Sequence, residues 1–227
     1  MRKNNIIIIG VGGIGSNLAE FISRFLNFEK EFCGKIVLID GDSFEEKNKT
    51  RQSFIRYGNK AESKVLELIQ KFTEIPFVFH DVYINKKNVS EYILDDAVVF
   101  LCVDNHKTRK IISDHCNTLN NITIINGGND LLDGSVHLYV RENGKDITPS
   151  LTKYNPEIET PEDETPEEMS CEKRSISEPQ IFFTNLQAAI IMCQVYYSLY
   201  TDTKTKNLPS IIYFDIATQK VTPSFRK

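Results

Sequence analysis

Hydrophobic residues along most of the chain fall into two alternating patterns. Short, mostly apolar runs predict buried strands, at 5–10, 35–40, 76–83, 97–102 and 121–126. Stretches with apolar residues at helical spacing predict helices, at 13–27, 60–72 and 105–118. Strands that alternate with helices are typical of a parallel sheet with right-handed crossovers. The pattern therefore predicts an α/β fold: a Rossmann-like, mostly parallel sheet with helices on both faces.

The last part of the chain follows a different pattern. Residues 134–141 predict a strand that no helix follows, and 210–216 with 219–223 predict a closing hairpin. We therefore expect an antiparallel C-terminal extension of the sheet. A chain of 227 residues suits one domain of the larger α/β kind, and we interpret residues 1–227 as a single domain.

Two segments within this last part have unusual composition. Residues 142–178 contain several prolines and an acidic run, 157–168, with seven carboxylates and no basic residue. This composition predicts a mobile crossover loop. Residues 180–200 predict a helix that is apolar nearly all round, which is typical of a helix buried within the protein or against a partner.

Composition narrows the function classes. The net charge of −4 and the pI of about 5.7 do not resemble the basic footprint of a nucleic-acid-binding protein. The longest apolar stretch is far too short for a membrane span, and no secretory pattern precedes the first strand. The five cysteines are odd in number and form no Cys-x-x-Cys pair, so we expect a reducing, cytoplasmic location without disulfides.

The first strand runs into a glycine-rich segment, Gly-Val-Gly-Gly-Ile-Gly at 10–15, which we call the glycine turn. Such a turn lets the backbone approach a phosphate closely, and the helix that begins near Gly13 directs free N–H groups at the anion. By itself it fits many dinucleotide-binding proteins, and a tight turn without a ligand is the alternative. Asp40 ends the second strand, where a carboxylate can bind a ribose diol or act as a helix cap or surface charge.

Three later residues extend this pattern beyond what a hydride-transfer cofactor requires. Arg51 and Lys60 supply cations, although each alone fits a solvated surface charge. Asp104 directly follows a buried strand, at the edge where parallel strands end and ligands bind in open α/β sheets, here called the carboxyl edge. There it could hold magnesium beside phosphates, or cap the helix at 105–118. A triphosphate with magnesium would use all three residues.

In order along residues 5–140, these motifs resemble the ThiF-type activating enzymes, which include the adenylating domain of ubiquitin-activating enzymes and bacterial enzymes that activate sulfur-carrier proteins. The motifs are Gly-x-Gly-Gly-x-Gly at 10–15, Asp-x-Asp at 40–42, Asn-x-x-Arg-Gln at 48–52, Lys-Ala-Glu at 60–62 and Asp-Asn-x-x-x-Arg at 104–109. The resemblance implies ATP-dependent adenylation, with magnesium, of the C-terminal carboxylate of a small ubiquitin-like or sulfur-carrier protein. Compact length and the lack of zinc ligands are most similar to the ThiF-related proteins of bacterial PRTRC cassettes.

The resemblance also implies roles for individual residues. The residues expected to bind ATP are Gly10, Gly12, Gly13, Gly15, Asp40, Asp42, Asn48, Arg51, Gln52, Lys60, Asp104 and Asn105. Among them, Arg51 and Lys60 would neutralise charge at the α-phosphate, and Asp104 would carry magnesium. Arg51 and Lys60 stand closer together than the family pattern leads us to expect, which makes Lys64 a rival for the lysine role. Lys60 is favoured because Ala61-Glu62 follows it as in the family.

Further expectations concern the partner and the points at which this sequence departs from the family pattern. Relatives pair through the portion that contains the helix at 180–200, so we expect a homodimer. Without Cys-x-x-Cys pairs we predict no structural zinc. The chain begins at the first strand, so an arginine that relatives insert into the partner's site from an N-terminal helix must be absent or replaced.

Cys171 lies near the position at which thioester- or persulfide-forming relatives carry a cysteine, and it could pass the substrate to a conjugating-enzyme-like acceptor. It could equally be an incidental thiol, because the glutamates nearby raise a thiol's pKa. The remaining cysteines at 102, 116 and 193 sit on apolar faces and fit the core.

Three rival functions remain at this point. An NAD-dependent oxidoreductase would explain the glycines and Asp40 but leaves Arg51, Lys60 and Asp104 without a role. A non-catalytic nucleotide-binding scaffold would bind ATP without pyrophosphate exchange. Adenylation of a small molecule or an RNA base would use the same chemistry on another substrate.

Overall fold

The computed structural model describes residues 4–29, 31, 33–49, 52, 54–153, 155–168, 181–201 and 208–225. In chain order its elements are β1 (Asn4–Ile9), α1 (Gly13–Phe28), β2 (Cys33–Ile39), β3 (Ser43–Phe44), a 3-10 turn (Glu46–Asn48), β4 (Gly58–Asn59), α2 (Lys60–Lys71), β5 (Phe77–His80), α3 (Val89–Tyr92), β6 (Ala97–Leu101), α4 (His106–Cys116), β7 (Ile122–Asn129), β8 (Asp133–Glu142), β9 (Lys145–Asp146), α5 (Pro156–Glu159), α6 (Phe182–Thr201), β10 (Ile211–Asp215) and β11 (Lys220–Ser224).

One sheet organises the described residues, in the strand order β11-β10-β8-β7-β6-β1-β2-β5, with β9 paired to β8. The neighbouring strands β5, β2, β1, β6 and β7 are parallel to one another, whereas β8, β10 and β11 each pair antiparallel with their neighbours. The predicted Rossmann-like, mostly parallel sheet with an antiparallel C-terminal extension is therefore confirmed.

The apolar run of β1 explains its central place. Ile6 and Ile8 face a core beneath α1, α2 and α6, while Ile7 and Ile9 face a second core beneath α3, α4 and α5. Because neighbouring side chains of a strand point to opposite faces, a strand covered on both sides must be apolar at every position. Helices therefore cover both faces of the sheet, as the sequence predicts.

The first part of the predicted loop at 142–178 is more structured than its composition indicates. It contains β9 and α5, and Leu151 and Ile158 are buried in the core beneath α4. Single apolar residues anchor this part, so no periodic pattern marks them in the sequence. The end of the loop, from residue 169, lies outside the described residues.

The helix α6 has two unlike apolar sides, which is why its sequence reads as apolar all round. One side is buried and contributes Ala188, Met192 and Tyr196 to the core shared with α1. The other side carries exposed residues, among them Phe183 with 66% of its surface accessible. Within the described part of the chain, no helix combines the length and apolar character that crossing a membrane requires.

Candidate functional site

The glycine turn fits closely between the ends of β1 and β6 and the start of α1. Gly10 has a φ of +86°, and a side-chain Cβ there would lie 2.8 Å from the carbonyl carbon and oxygen of Cys102. A Cβ on Gly15 would lie 1.9 Å from the carbonyl oxygen of Gly10. Only glycine fits at these two positions, so the turn closes tightly between β1, α1 and the residue that follows β6.

The first turn of α1 is open to an anion. No side chain caps this helix, whose N-cap residue is Gly12. A Cβ on Gly12 would meet its nearest atom, the Nε2 of Gln52, only at 3.7 Å. Uncapped N–H groups together with the helix dipole form a site for a phosphate or carboxylate.

Asp40 fastens the end of β2 to the glycine turn. Its carboxylate accepts hydrogen bonds from the backbone N–H of Val11, at 2.6 Å, and of Asp42, at 2.8 Å. Burial raises the pKa of Asp40 to about 6; the Lys60 ammonium opposes this rise, and the neighbouring Asp42 carboxylate adds to it. The buried carboxylate thus joins the end of β2 to the glycine turn, just before the uncapped start of α1.

Lys60 lies beside Asp42, close to the carboxylate of Asp40. It is the first residue of α2, and its Nζ lies 3.0 Å from Oδ2 of Asp42. Asn59 caps α2 by accepting from the N–H of Glu62, and its Nδ2 donates to the backbone oxygen of Asp40. A cation at the N-terminal end of a helix is unfavourable by itself, so the ion pair with Asp42 keeps it there until an anion arrives.

The rival lysine has a different environment. Nζ of Lys64 lies 2.8 Å from Oε2 of Glu67, and both side chains are buried, with 4% and 10% of their surfaces accessible. Lys64 also lies over the ring of Phe54, at 5.8 Å from Nζ to the centroid. Its charge is therefore neutralised one helical turn away from the ion pair of Lys60 with Asp42.

The structure shows which residue caps α4, a role that the sequence left open for Asp104. The residue that caps α4 is Asn105, whose Oδ1 accepts from the N–H of Thr108 at 2.8 Å. Asp104 precedes the cap, is exposed and lies two residues beyond Cys102, the neighbour of Gly10. Asp104 thus follows β6 at the carboxyl edge, two residues after the contact of Cys102 with Gly10, and Asn105 takes the capping role.

Magnesium would fit Asp104 only together with phosphate oxygens. No group of three or more His, Cys, Asp or Glu side chains suited to a metal ion occurs in the described part of the chain. Magnesium commonly takes one or two protein carboxylates and completes its octahedron with water and phosphates. A single exposed carboxylate beside a phosphate site meets that requirement.

Other predicted residues have structural partners. Oδ1 of Asn48 accepts from the N–H of Glu45 and completes a reciprocal cap of the short 3-10 turn. The side chain of Gln52 is buried against Gly12. Arg51 and Cys171 lie outside the described residues.

Two residues near the site were missed in the sequence. Asn185 on α6 touches the glycine turn, because a Cβ on Gly13 would lie 2.3 Å from its Nδ2. Asp163 accepts hydrogen bonds from the backbone N–H of His106, at 2.5 Å, and of Lys107, at 3.0 Å, at the start of α4. Asn185 interrupts an apolar helix, which is the signal that could have identified it; Asp163 is one acid among many in its run.

Comparison with known proteins identifies the family of this chain. The sequence profile of the ThiF family matches residues 1–227. The adenylyltransferase and sulfurtransferase MOCS3 of Drosophila ananassae is 30% identical over 148 residues, 63% of this chain and 31% of that protein. The adenylyltransferase and sulfurtransferase uba4 of Emericella nidulans is 28% identical over 118 residues, 50% of this chain and 23% of that protein. The chain thus spans less than a third of the length of these relatives.

Solved structures share the fold. The structure of E. coli MccB with ATP superposes with a TM-score of 0.71 at 18% identity, over 98% of this chain and 63% of that one. The microcin C7 biosynthetic enzyme MccB in complex with N-formylated MccA gives a TM-score of 0.74 at 18% identity, over 98% and 64%. PaaA gives 0.71 at 17% identity, over 99% and 65%.

The raised pKa of Asp40 predicts a particular dependence of stability on pH. Between pH 3.8, where this carboxyl ionises in the unfolded chain, and about 6, the native state keeps a proton that the unfolded state has lost. The free energy of unfolding should therefore fall as pH rises through this window, by roughly 2 to 3 kcal/mol from this group. Below the window there is no effect, and above it the loss is constant.

Urea unfolding of the wild type and of Asp40→Asn at pH 4, 5, 6 and 7 measures this effect, because the other titrating groups are common to both proteins. The difference between wild type and variant should become less favourable to the wild type as pH rises from 4 to 6. A difference that does not change with pH would contradict the buried, proton-binding carboxylate.

Proposed function

Because the chain belongs to the ThiF family, we propose that its carboxyl edge adenylates a carboxylate at the expense of ATP. The substrate proposed is the C-terminus of a small ubiquitin-like or sulfur-carrier protein, or of a peptide. The observation that carries this proposal is that the uncapped start of α1 and the Lys60–Asp42 ion pair lie at the carboxyl edge, the edge at which Asp104 follows β6. The PRTRC cassette proteins are the narrower grouping that we propose.

The reaction follows from these positions. N–H groups of the glycine turn would bind phosphate, and Asp40 would accept from the ribose. Lys60 would exchange Asp42 for the α-phosphate and neutralise the charge that develops there. The substrate carboxylate oxygen would then bond to the α-phosphorus as the bond to the bridging oxygen breaks, and pyrophosphate would leave with that electron pair. Magnesium, held by Asp104, would offset charge on the phosphate oxygens.

Three similar proteins support the choice of reaction and substrate class. The names of MOCS3 and uba4 include adenylyltransferase and sulfurtransferase, and solved structures of MccB contain ATP or MccA. An oxidoreductase that uses NAD would have no use for Lys60 and Asp104 at the glycine turn. A scaffold without activity would bind ATP but would not exchange pyrophosphate.

A homodimer is part of this proposal. Between α6 and the β10–β11 turn lies an open groove of about 330 Å³, lined by Phe183, Leu186, Gln187, Ile190, Ile216 and Gln219. Exposed apolar side chains that surround such a groove favour association. A second copy would cover the exposed side of α6, which fits the apolar character of that helix on both sides.

We predict that the wild type binds ATP with magnesium in preference to NAD and exchanges pyrophosphate when a peptide ending in Gly-Gly is present. Asp104→Asn should reduce exchange by a factor of about a hundred or more, because a metal ligand is lost. The matched control is Asp114→Asn, an exposed partner of Lys110 farther along α4, which should leave exchange unchanged. Calorimetry with ATP and NAD and an isotope exchange assay supply both measurements. Tight NAD binding without ATP binding, or full exchange in Asp104→Asn, would refute the proposal.

The two lysines should respond differently to substitution by methionine. Lys60→Met should abolish exchange while the protein stays folded, because the ion pair it loses is partly exposed on the side of Asp42. Lys64→Met leaves Glu67 with Lys71 as its remaining partner, and should lower the free energy of unfolding by about 1.5 to 3 kcal/mol, the usual loss for one hydrogen bond to a charged group. Its folded fraction should retain exchange. Unfolding curves and exchange per folded molecule distinguish the two, and the reverse pattern would assign the role to Lys64.

Thioester transfer through Cys171 to a conjugating-enzyme-like acceptor is the final part of the proposal. Burial raises the pKa of the Cys102 thiol and raises those of Cys116 and Cys193 to about 12, so these three thiols are poor nucleophiles at neutral pH. We predict that Cys171→Ser removes a reducible adduct with the substrate protein and leaves pyrophosphate exchange intact, whereas the control Cys193→Ser retains the adduct. Gel electrophoresis with and without reductant tests this, and an adduct that persists in Cys171→Ser would locate the acceptor elsewhere.

A further inference from the structure

Two helices present their N-termini to the carboxyl edge side by side. Asn185, in the first turn of α6, lies against Gly13 at the start of α1. Farther along both helices, the ring of Phe25 meets those of Tyr196 and Tyr197, at centroid distances of 6.3 and 5.8 Å. The helices therefore run parallel, and the positive ends of both dipoles lie at the candidate phosphate site.

The side chain of Asn185 has an unusual environment for a carboxamide. The residue is fully buried, and neither its Oδ1 nor its Nδ2 has a hydrogen-bond partner among the described residues. Native proteins satisfy most buried polar groups, because an unsatisfied amide is unfavourable. A leucine would fill the same space without that penalty, so the retention of a carboxamide requires another explanation.

The direction of the Asn185 side chain explains why a carboxamide is retained there. Nδ2 of Asn185 lies 2.3 Å from the position that a Cβ of Gly13 would take, so the amide occupies the space left free by the missing side chain. At the adjacent Gly12, Nε2 of Gln52 lies at the ordinary contact distance of 3.7 Å from the position of a Cβ, and its buried Oε1 also has no partner in the described part of the structure. Two carboxamides with unsatisfied atoms, both atoms of Asn185 and Oε1 of Gln52, therefore border two successive glycines at the start of α1.

From these contacts we infer that Asn185 is a nucleotide-binding residue whose Nδ2–H donates to a phosphate of ATP bound over the start of α1. This inference rests on the proposed function and adds α6 to the elements that bind the nucleotide. A phosphate oxygen can accept from the amide in addition to the backbone N–H groups of the glycine turn. The missing partner of Nδ2 is then supplied by the ligand.

The test replaces Asn185 by leucine, which has the same branching and no polar atoms. Asn185→Leu should bind ATP roughly ten- to a hundredfold more weakly, the usual loss for a hydrogen bond to a charged group. It should bind adenosine as the wild type does, because adenosine has no phosphate. The ligand-free variant should unfold at a higher temperature than the wild type, because the unsatisfied amide is gone. A purely structural asparagine would instead give lower stability and an equal loss for both ligands.

A neighbouring residue provides the matched control. Thr184 is equally buried, but its Oγ1 already donates to the backbone oxygen of Leu131 at 2.8 Å. Thr184→Val should lower stability and leave the affinity for ATP unchanged. Should Asn185→Leu not fold, Asn185→Asp keeps the shape and places a carboxylate against the phosphate, so ATP affinity should fall while adenosine affinity stays the same.

The outcomes separate this inference from the proposed function. Wild type that binds no ATP would refute the proposed function, and Asn185 would lose its assigned partner with it. Wild type that binds ATP, with unchanged affinity in Asn185→Leu or Asn185→Asp, would refute the role of Asn185 alone. Calorimetry with ATP and adenosine, together with thermal unfolding of each variant, provides every comparison.

Discussion

The buried carboxylate of Asp40 is the constraint on which the carboxyl edge depends. It joins the end of β2 to the glycine turn through the N–H groups of Val11 and Asp42. The same contact sets the position of the Asp42 side chain, and therefore of Lys60. A charge held in such a place is unfavourable by itself, as its raised pKa reflects. The arrangement concentrates opposed charges where an anionic ligand would find donors already in position.

Much of the fold could be predicted from the sequence because central strands buried on both faces must be continuously apolar, as in β1 and β6. The glycine turn and Asp40 could also be identified in the sequence, since both belong to a local strand–turn–helix pattern. The resemblance favours Lys60 over Lys64 because Ala61-Glu62 follows it as in the family, and that choice stays a prediction; in the structure Lys60 pairs with Asp42 and Lys64 with Glu67. The likeness to the ThiF family rests on such local motifs and is confirmed.

What the sequence did not reveal depends on contacts between distant segments. Asn185 reaches Gly13 only after the crossover segment has returned the chain to α1, and no spacing rule encodes that register. Which of two adjacent polar residues caps α4 depends on backbone geometry, so Asn105 rather than Asp104 could be identified only in three dimensions. Asp163 adds a second acceptor at the same helix end from a segment that composition alone predicts to be mobile.

The outermost strand of the described sheet has a consequence for how copies of this protein could associate. Pro223 lies in β11 opposite Ile212, and proline is tolerated in a strand where its nitrogen faces solvent. At that point the outer edge offers no N–H to another strand, and the charge of Lys220 in the same strand opposes close approach of a second sheet. Continuous sheets that extend from one molecule into the next are disfavoured at this edge. An association of copies would therefore use surfaces other than this edge.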